Sequence, residues 1–448
     1  MLSAADNDIL CRVGPGTPMG NLMRQYWIPA IRSDELPAPD CPPLRVKLLG
    51  EELIGFRTTS GAVGLVQNAC PHRGASLFFG RSEEEGLRCV YHGWKFDVTG
   101  GCVDMPSEPA ESNFKTKVRV LAYPCVERQG VVWTYMGPRS VPPALPDLEP
   151  NMLPDGEYAI ANVMRECNWM QALEGDIDTV HVVFLHGGAR YFDPAMAAAS
   201  ARERAARYAV RDAEYGVSYG AYRTEDDINL YWRIAHFLFP FYSMTPTGRL
   251  GVRKQVRAWV PIDDEHTLFF RISDPESRRR PDADGVVRPQ RDLSSWNPYQ
   301  LGEGTELMPR TSAWYGRFQA KATARNDYEI DREAQSKRES YTGINGITLQ
   351  DQAVTESMGT IYDRSHEHLG TSDAMVIRTR RRLIDAAKAL RDDGTIPPGV
   401  DEPEIYRQRS GEVVLPRDAD WWEATEELRK AFVDRPAIRL APTQTLSG

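Results

Sequence analysis

Two short motifs restrict the fold more than anything else in the chain: C-P-H-R-G at 70–74 and C-V-Y-H-G-W at 89–94. Cys70 with His72 and Cys89 with His92 make two Cys-His pairs, with sixteen residues between His72 and Cys89. Two thiolates and two imidazoles on paired loops suit a [2Fe-2S] centre whose cysteines hold one iron and whose histidines hold the other. Replacing two anionic thiolates by neutral imidazoles raises the reduction potential, so such a centre accepts electrons from a low-potential donor. A Cys2His2 zinc site uses the same residue types, but normally as C-x2-4-C followed by H-x3-5-H, whereas here Cys and His alternate. Gly74 and Gly93 close each segment, as expected of tight loops whose backbone N–H groups approach sulfur.

At 448 residues the chain has room for two or three domains and a sizeable core. No apolar run reaches eighteen residues, so no membrane span is expected. Met1 to Asp8 has neither a basic nor an apolar stretch of the kind found in a secretion signal, and a cytoplasmic location is expected. A formal charge of -9 argues against nucleic acid as a partner. Seven cysteines in this length do not make a disulfide framework, and Cys11, Cys41, Cys102, Cys125 and Cys167 read as reduced thiols.

Gly14 to Gly20, G-P-G-T-P-M-G, fails as a dinucleotide-binding loop. Its third glycine comes one place late, and Pro15 and Pro18 lack the N–H groups a pyrophosphate needs. It reads as a turn opening a helical stretch over 21–27. No other nucleotide motif is present, so electrons from a nicotinamide would have to come through another protein. From 44 to 135, short β runs are broken by Gly, Pro and charged turns, including R-V-K-L-L, E-L-I-G-F and G-V-V-W-T-Y. V-P-P-A-L-P at 141–146 and P-D-G at 154–156 mark a boundary. The expected division is a helical or extended segment over 1–43, a cluster-bearing β domain over 44–140 and a second domain over 157–448. In that second domain 168–180 reads as one helix, with Glu174, Asp178 and His181 along one polar face. Aromatic and β-branched runs over 207–274 read as strands of one antiparallel sheet, 277–298 as an exposed loop, and 351–357 and 372–391 as helices. The fold class is α+β.

His181 and His186, with a carboxylate from elsewhere, would make the facial triad of a non-haem Fe(II) site. Five residues along a regular helix rotate by about 140°, so the two rings share a metal only if the backbone departs from ideal helix. The motifs G-P-G-T-P-M-G, the two Cys-His segments, N-W-x-Q-x-x-E-G-x-x-D-x-x-H and Q-D-x-A-V-T-E-S-M-G at 350–359 together give the chain a family resemblance over nearly its whole length. It resembles the oxygenase (alpha) component of Rieske non-haem iron aromatic-ring oxygenases, in the phthalate 4,5-dioxygenase and aromatic-acid O-demethylase branch.

That resemblance implies a Rieske domain followed by a helix-grip catalytic domain with an antiparallel sheet. Cys70, His72, Cys89 and His92 would hold the [2Fe-2S] cluster, and His181, His186 and Asp351 the mononuclear Fe(II), with Asp363 and Asp373 as nearby alternatives to Asp351. Asp178 would bridge a cluster histidine of a neighbouring subunit and His181 of its own, in a head-to-tail homotrimer or a hexamer of stacked trimers. Glu174 is either a supporting residue on that face or a surface charge. The implied partners are an aromatic acid, O2 and a separate NAD(P)H-dependent reductase of flavin or ferredoxin type. The product is a cis-dihydrodiol or a demethylated phenol, according to pocket residues. A carboxylate substrate needs a buried cation. Arg207, Arg223 and Arg233 are candidates, and Arg207 is preferred because it opens the run R-Y-A-V. The alternatives from other classes are a Rieske electron-transfer protein without oxygenase activity, against which the roughly 290 residues beyond the first domain speak, and a zinc-stabilised binding protein.

Overall fold

A computed structural model describes residues 2–109, 111–187, 194–275 and 305–433. The loop expected over 277–298 lies outside the described residues. Thr17 caps the helix Pro18–Met23 by accepting from Gly20 N–H, and Pro18 supplies its pre-set first residue. The helix ends before Trp27, which instead begins a strand, Trp27–Arg32, because the bulky residues Trp27, Ile28 and Ile31 are buried in a sheet with Val131–Tyr135. The chain before the cluster motifs is thus tied to the chain after them.

Between these strands lie two four-stranded antiparallel sheets: Leu44–Leu48, Glu51–Arg57, Val63–Gln67 and Ala122–Tyr123, then Arg81–Glu83, Gly86–Arg88, Lys95–Phe96 and Cys102–Asp104. Their shared core contains Ile54, Phe56, Leu77, Leu87 and Phe96, with Cys70, Cys89 and Trp94 built into it. Beyond residue 157, eight strands among the described residues form one antiparallel sheet, led by Ala159–Arg165 and closed by Arg207–Ala213. The twenty-residue helix Ala374–Asp393 packs on Gly216–Thr224 and Arg207–Ala213 and stops at Gly394, whose left-handed backbone (φ +69°) suits glycine. Antiparallel β layers, a curved sheet and a long packed helix bear out the α+β class.

The two parts are firmly joined. The tip Leu49-Gly50 donates its N–H groups to Pro261 O (3.1 Å) and Ile262 O (2.8 Å). Glu35, with a fully buried side chain, is gripped by Arg317 at 2.8 and 2.6 Å, and Lys47 pairs with Asp263 at 3.1 Å. Among the described residues no helix is long and apolar enough to cross a membrane.

Candidate metal centres

The two Cys-His segments share one backbone circuit. Cys70 N–H donates to Ala75 O (2.8 Å) and Gly74 N–H to Cys70 O (2.9 Å); Cys89 N–H donates to Trp94 O (2.8 Å) and Gly93 N–H to Cys89 O (3.0 Å). Gly74 and Gly93 adopt φ of +75° and +77°, a conformation a side chain disfavours. The loops bring the rings of His72 and His92 to 4.3 Å between centroids, with Trp94 stacked on His72 at 4.4 Å and Tyr91 against His92 at 3.9 Å. The thiols of Cys70 and Cys89 are buried, and burial, with Cys89 alongside, pushes the Cys70 thiol up to about 11. A thiolate there requires a bound cation. Nδ1 of His72 is buried with no hydrogen-bond partner. An orphaned imidazole nitrogen beside two thiols fits a [2Fe-2S] cluster with mixed ligands.

The second centre forms where the sheet meets three short helical segments. Asn168 caps the helix Trp169–Asp176 by accepting from Met170 N–H at 3.1 Å, and its amide donates to Cys11 O and Asp264 O. This helix stops at Asp176, not at Val180. Asp178 therefore does not share a regular helix with His181: its carboxylate accepts from Val180 N–H (2.7 Å) and His181 N–H (3.4 Å) and starts a new helix, His181–Leu185. His186 follows with φ −98° and ψ 5°, outside α-helical geometry. This is the backbone departure that the H-x4-H spacing requires.

His181, His186 and Asp351 come together, one nitrogen or oxygen from each lying within 4.8 Å of the others. Asp351 Oδ1 lies 3.1 Å from His186 Nε2 and 3.6 Å from His181 Nε2. Asp351 sits inside the helix Ile347–Glu356 rather than at its start, so it is not an N-cap. Asp363 and Asp373 are not brought to the histidines: Asp363 is exposed and accepts from Ser365 N–H, and Asp373 accepts from Gly370 N–H. Each ring is braced at Nδ1, His181 by Asp178 (3.1 Å) and His186 by Gln350 (2.7 Å). Gln350 Nε2 donates to Ile344 O, so Oε1 is the accepting atom and both histidines turn a bare Nε2 toward Asp351. Burial alone would raise the carboxyls of Asp178 and Asp351; hydrogen bonds and charge from His181 and His186 hold both below the ordinary carboxylate value. Two neutral nitrogens and a carboxylate suit Fe(II) with open positions.

Glu174 is neither a neighbour of His181 nor a surface charge. It is half-buried, held between Arg364 (3.2 Å) and Arg380 (2.6 Å). Gln171 of the same motif donates to Thr355 O (2.9 Å) and Gly359 O (2.7 Å), tying the histidine-bearing segment to the aspartate-bearing helix.

Arg207 is placed away from this centre. It lies opposite Tyr222, which lies opposite Trp232, and those rings stack toward Trp421 on the outer face of the sheet. Its guanidinium is 66% exposed and pairs with Glu203. Its neighbour Tyr208 occupies the inner face, where its hydroxyl accepts from Thr179 N–H. One residue of alternation separates the two outcomes. Arg223 and Arg233 are buried rather than facing solvent, and Arg233 shares the Tyr208 face through Ala221. The sequence reading missed Gln350 as a brace, although it stands beside Asp351 in the quoted motif. It also missed Arg165, Arg257 and Arg271, which line a cavity bounded by Asp351.

Comparisons with known proteins agree with this anatomy. Residues 26–124 match the Rieske [2Fe-2S] domain and residues 134–436 the LigXa C-terminal domain like family. The 3-chlorobenzoate-3,4-dioxygenase oxygenase subunit of Comamonas testosteroni is 46% identical, covering 97% of this chain and 100% of the relative. The phthalate 4,5-dioxygenase oxygenase subunit of Pseudomonas putida is 36% identical over 94% of both chains. The 5,5'-dehydrodivanillate O-demethylase oxygenase subunit of a Sphingobium strain is 33% identical, covering 93% of this chain and 86% of the relative. Dicamba monooxygenase shares the fold, with a TM-score of 0.53 at 18% identity over 83% of this chain and 99% of that one. With two Cys-His loops, a second site of two histidines and one aspartate, and relatives matched end to end, this chain belongs to the Rieske non-haem iron oxygenases, as an oxygenase component carrying a [2Fe-2S] cluster and a mononuclear iron.

Proposed function

We propose that this oxygenase hydroxylates an aromatic carboxylic acid, by ring dihydroxylation of a phthalate-like substrate or by O-demethylation of a methoxylated one. The observation that carries the reading is the convergence of His181, His186 and Asp351 beside a cavity walled by Trp259, Phe269 and arginines. The names of the chlorobenzoate, phthalate and dehydrodivanillate relatives support the substrate class.

A mononuclear Fe(II) at the triad supplies O2 activation, and the cluster supplies single electrons received from a separate NAD(P)H-dependent reductase. The chain's own residues hold and orient. Asp178 and Gln350 keep the Nδ1 protons of His181 and His186 fixed, leaving each Nε2 free to ligate. In this reading residues 44–140 hold the cluster and 157–448 the catalytic iron. Asp178, whose side chain is 28% exposed, also reaches a cluster histidine of a neighbouring subunit in a homotrimer or a stacked hexamer.

The test is metal analysis and a visible spectrum on anaerobically purified protein, then O2 uptake with a reductase and a panel of aromatic acids and neutral aromatics. About three irons per chain with acid-dependent uptake supports the proposal. Two irons and no uptake would reduce the chain to an electron carrier, and zinc without colour would overturn both.

A further inference from the structure

The inner face of the sheet carries a concentration of buried positive charge that the iron site does not use. Arg257 and Arg271 stand directly opposite each other on adjacent strands. Like charges in that relation repel, and Asp176 offsets the charge on Arg257. Arg165, on the strand beyond, is 2% exposed, and its Nε and Nη1 are buried without a hydrogen-bond partner. All three line one cavity of about 30 Å³, together with Trp259, Phe269 and Asp351.

The acids at this cavity among the described residues are two, and both are occupied. Asp176 pairs with Arg257 and accepts from Ser243 Oγ (2.7 Å) and Trp259 Nε1 (2.7 Å), which fills its oxygens. Asp351 is turned to His186 and His181. A buried guanidinium with two idle nitrogens is costly unless an acceptor arrives. The volume admits a carboxylate-sized head but not a ring, and the guanidiniums of Arg165 and Arg257 lie over the rings of Trp259 and Phe269.

Building on the proposed function, we infer that Arg165, supported by Arg257, is the anion subsite of this pocket and takes the substrate's carboxylate. The ring stays outside this small cavity, past Asp351, which bounds it. Arg165 acts as a specificity-determining residue: it selects acids over neutral aromatics of the same shape. Because Arg207 lies on the opposite face, it contributes nothing to this selection.

The experiment is calorimetric titration of the iron-loaded protein with benzoate and with its neutral analogue benzamide. Wild type is compared with Arg165→Met, Arg165→Lys, Arg257→Met and Arg233→Met, each accepted only if its cluster spectrum and melting temperature match wild type. The expected result is a loss of benzoate affinity of about 10- to 100-fold in Arg165→Met, a smaller loss in Arg165→Lys, which keeps the charge but not the fork, and no change for benzamide. Should Arg165→Met not fold, the same pattern in Arg165→Lys and Arg257→Met carries the test. Wild-type binding of benzoate that survives both Arg165→Met and Arg257→Met, or that is lost only in Arg233→Met, overturns the subsite and leaves the aromatic-acid reading standing. If wild type binds benzamide as tightly as benzoate and takes up O2 only with neutral aromatics, the aromatic-acid reading fails and the subsite falls with it.

Discussion

Gln350 Oε1 lies 2.7 Å from Nδ1 of His186, and the residue after it, Asp351, reaches Nε2 of the same ring at 3.1 Å. One stretch of helix thus grips both nitrogens of one imidazole. Replacing Gln350 by Leu keeps the helix but frees the ring to rotate. The mononuclear iron should then bind about 10- to 100-fold more weakly, read as iron lost on dialysis against a chelator while the cluster spectrum is unchanged. Undiminished retention would show that Gln350 does not set the orientation of His186.

In the proposed assignment Cys89 serves the cluster and not the second centre. Cys89→Ser should abolish the visible cluster absorbance and lower the iron content from about three per chain to about one. Asp351→Ala should do the reverse, keeping the colour and losing one iron. If both losses followed from either substitution alone, the two centres would not be independent.

His236 is fully buried, with Nε2 3.0 Å from Arg409 O and Nδ1 2.8 Å from Ser218 Oγ, and burial pushes it down to about 3. The unfolded chain takes up this proton near pH 6.5 and the folded chain only near 3. The neutral ring's contribution is therefore whole above about pH 6.5 and is lost on acidification between 6.5 and 3, at a rate of about 1 kcal/mol per pH unit. Melting curves across this interval should show that slope in wild type and a shallower one in His236→Asn. Equal slopes would remove His236 as the cause.

Glu174 separates two buried guanidiniums. Glu174→Leu takes the carboxylate from Arg364 and leaves Arg380 with Glu367 alone, and should destabilise the fold by about 3–5 kcal/mol, measured by denaturant unfolding. A change below 1 kcal/mol would mean the cluster of charges is solvated.

Arg207→Ala, by contrast, removes an exposed side chain whose ion-pair partner among the described residues is Glu203. Stability should move by no more than about 0.5 kcal/mol, and the Michaelis constant for an aromatic acid should stay at the wild-type value. A large rise would return Arg207 to the pocket.

The two Cys-His loops were legible because their signals are local: residues two or three apart share one loop, and Gly74 and Gly93 announce the turns. The strands were legible from alternation, but alternation does not say which face is the inner one. Arg207 was chosen over its neighbour's face for want of that single bit, which only the pairing with Tyr222 and Trp232 supplies. The reading of 168–180 as one helix failed because the helix ends at Asp176, and Asp178, read as part of a continuous face, instead accepts from the Val180 and His181 N–H groups that lead into the next helix. Arg165, Arg257 and Arg271 are more than a hundred residues apart at the extremes, and nothing in their own neighbourhoods marks them as convergent. The register of three strands brings them together.

The contacts of Leu49 and Gly50 with Pro261 and Ile262, and of Glu35 with Arg317, make the boundary between the two halves a weld rather than a joint. Swinging the cluster loops toward the histidines of the same chain would break a buried ion pair and two backbone hydrogen bonds together. The cluster loops and the histidines of one chain are thus held in a single fixed relation.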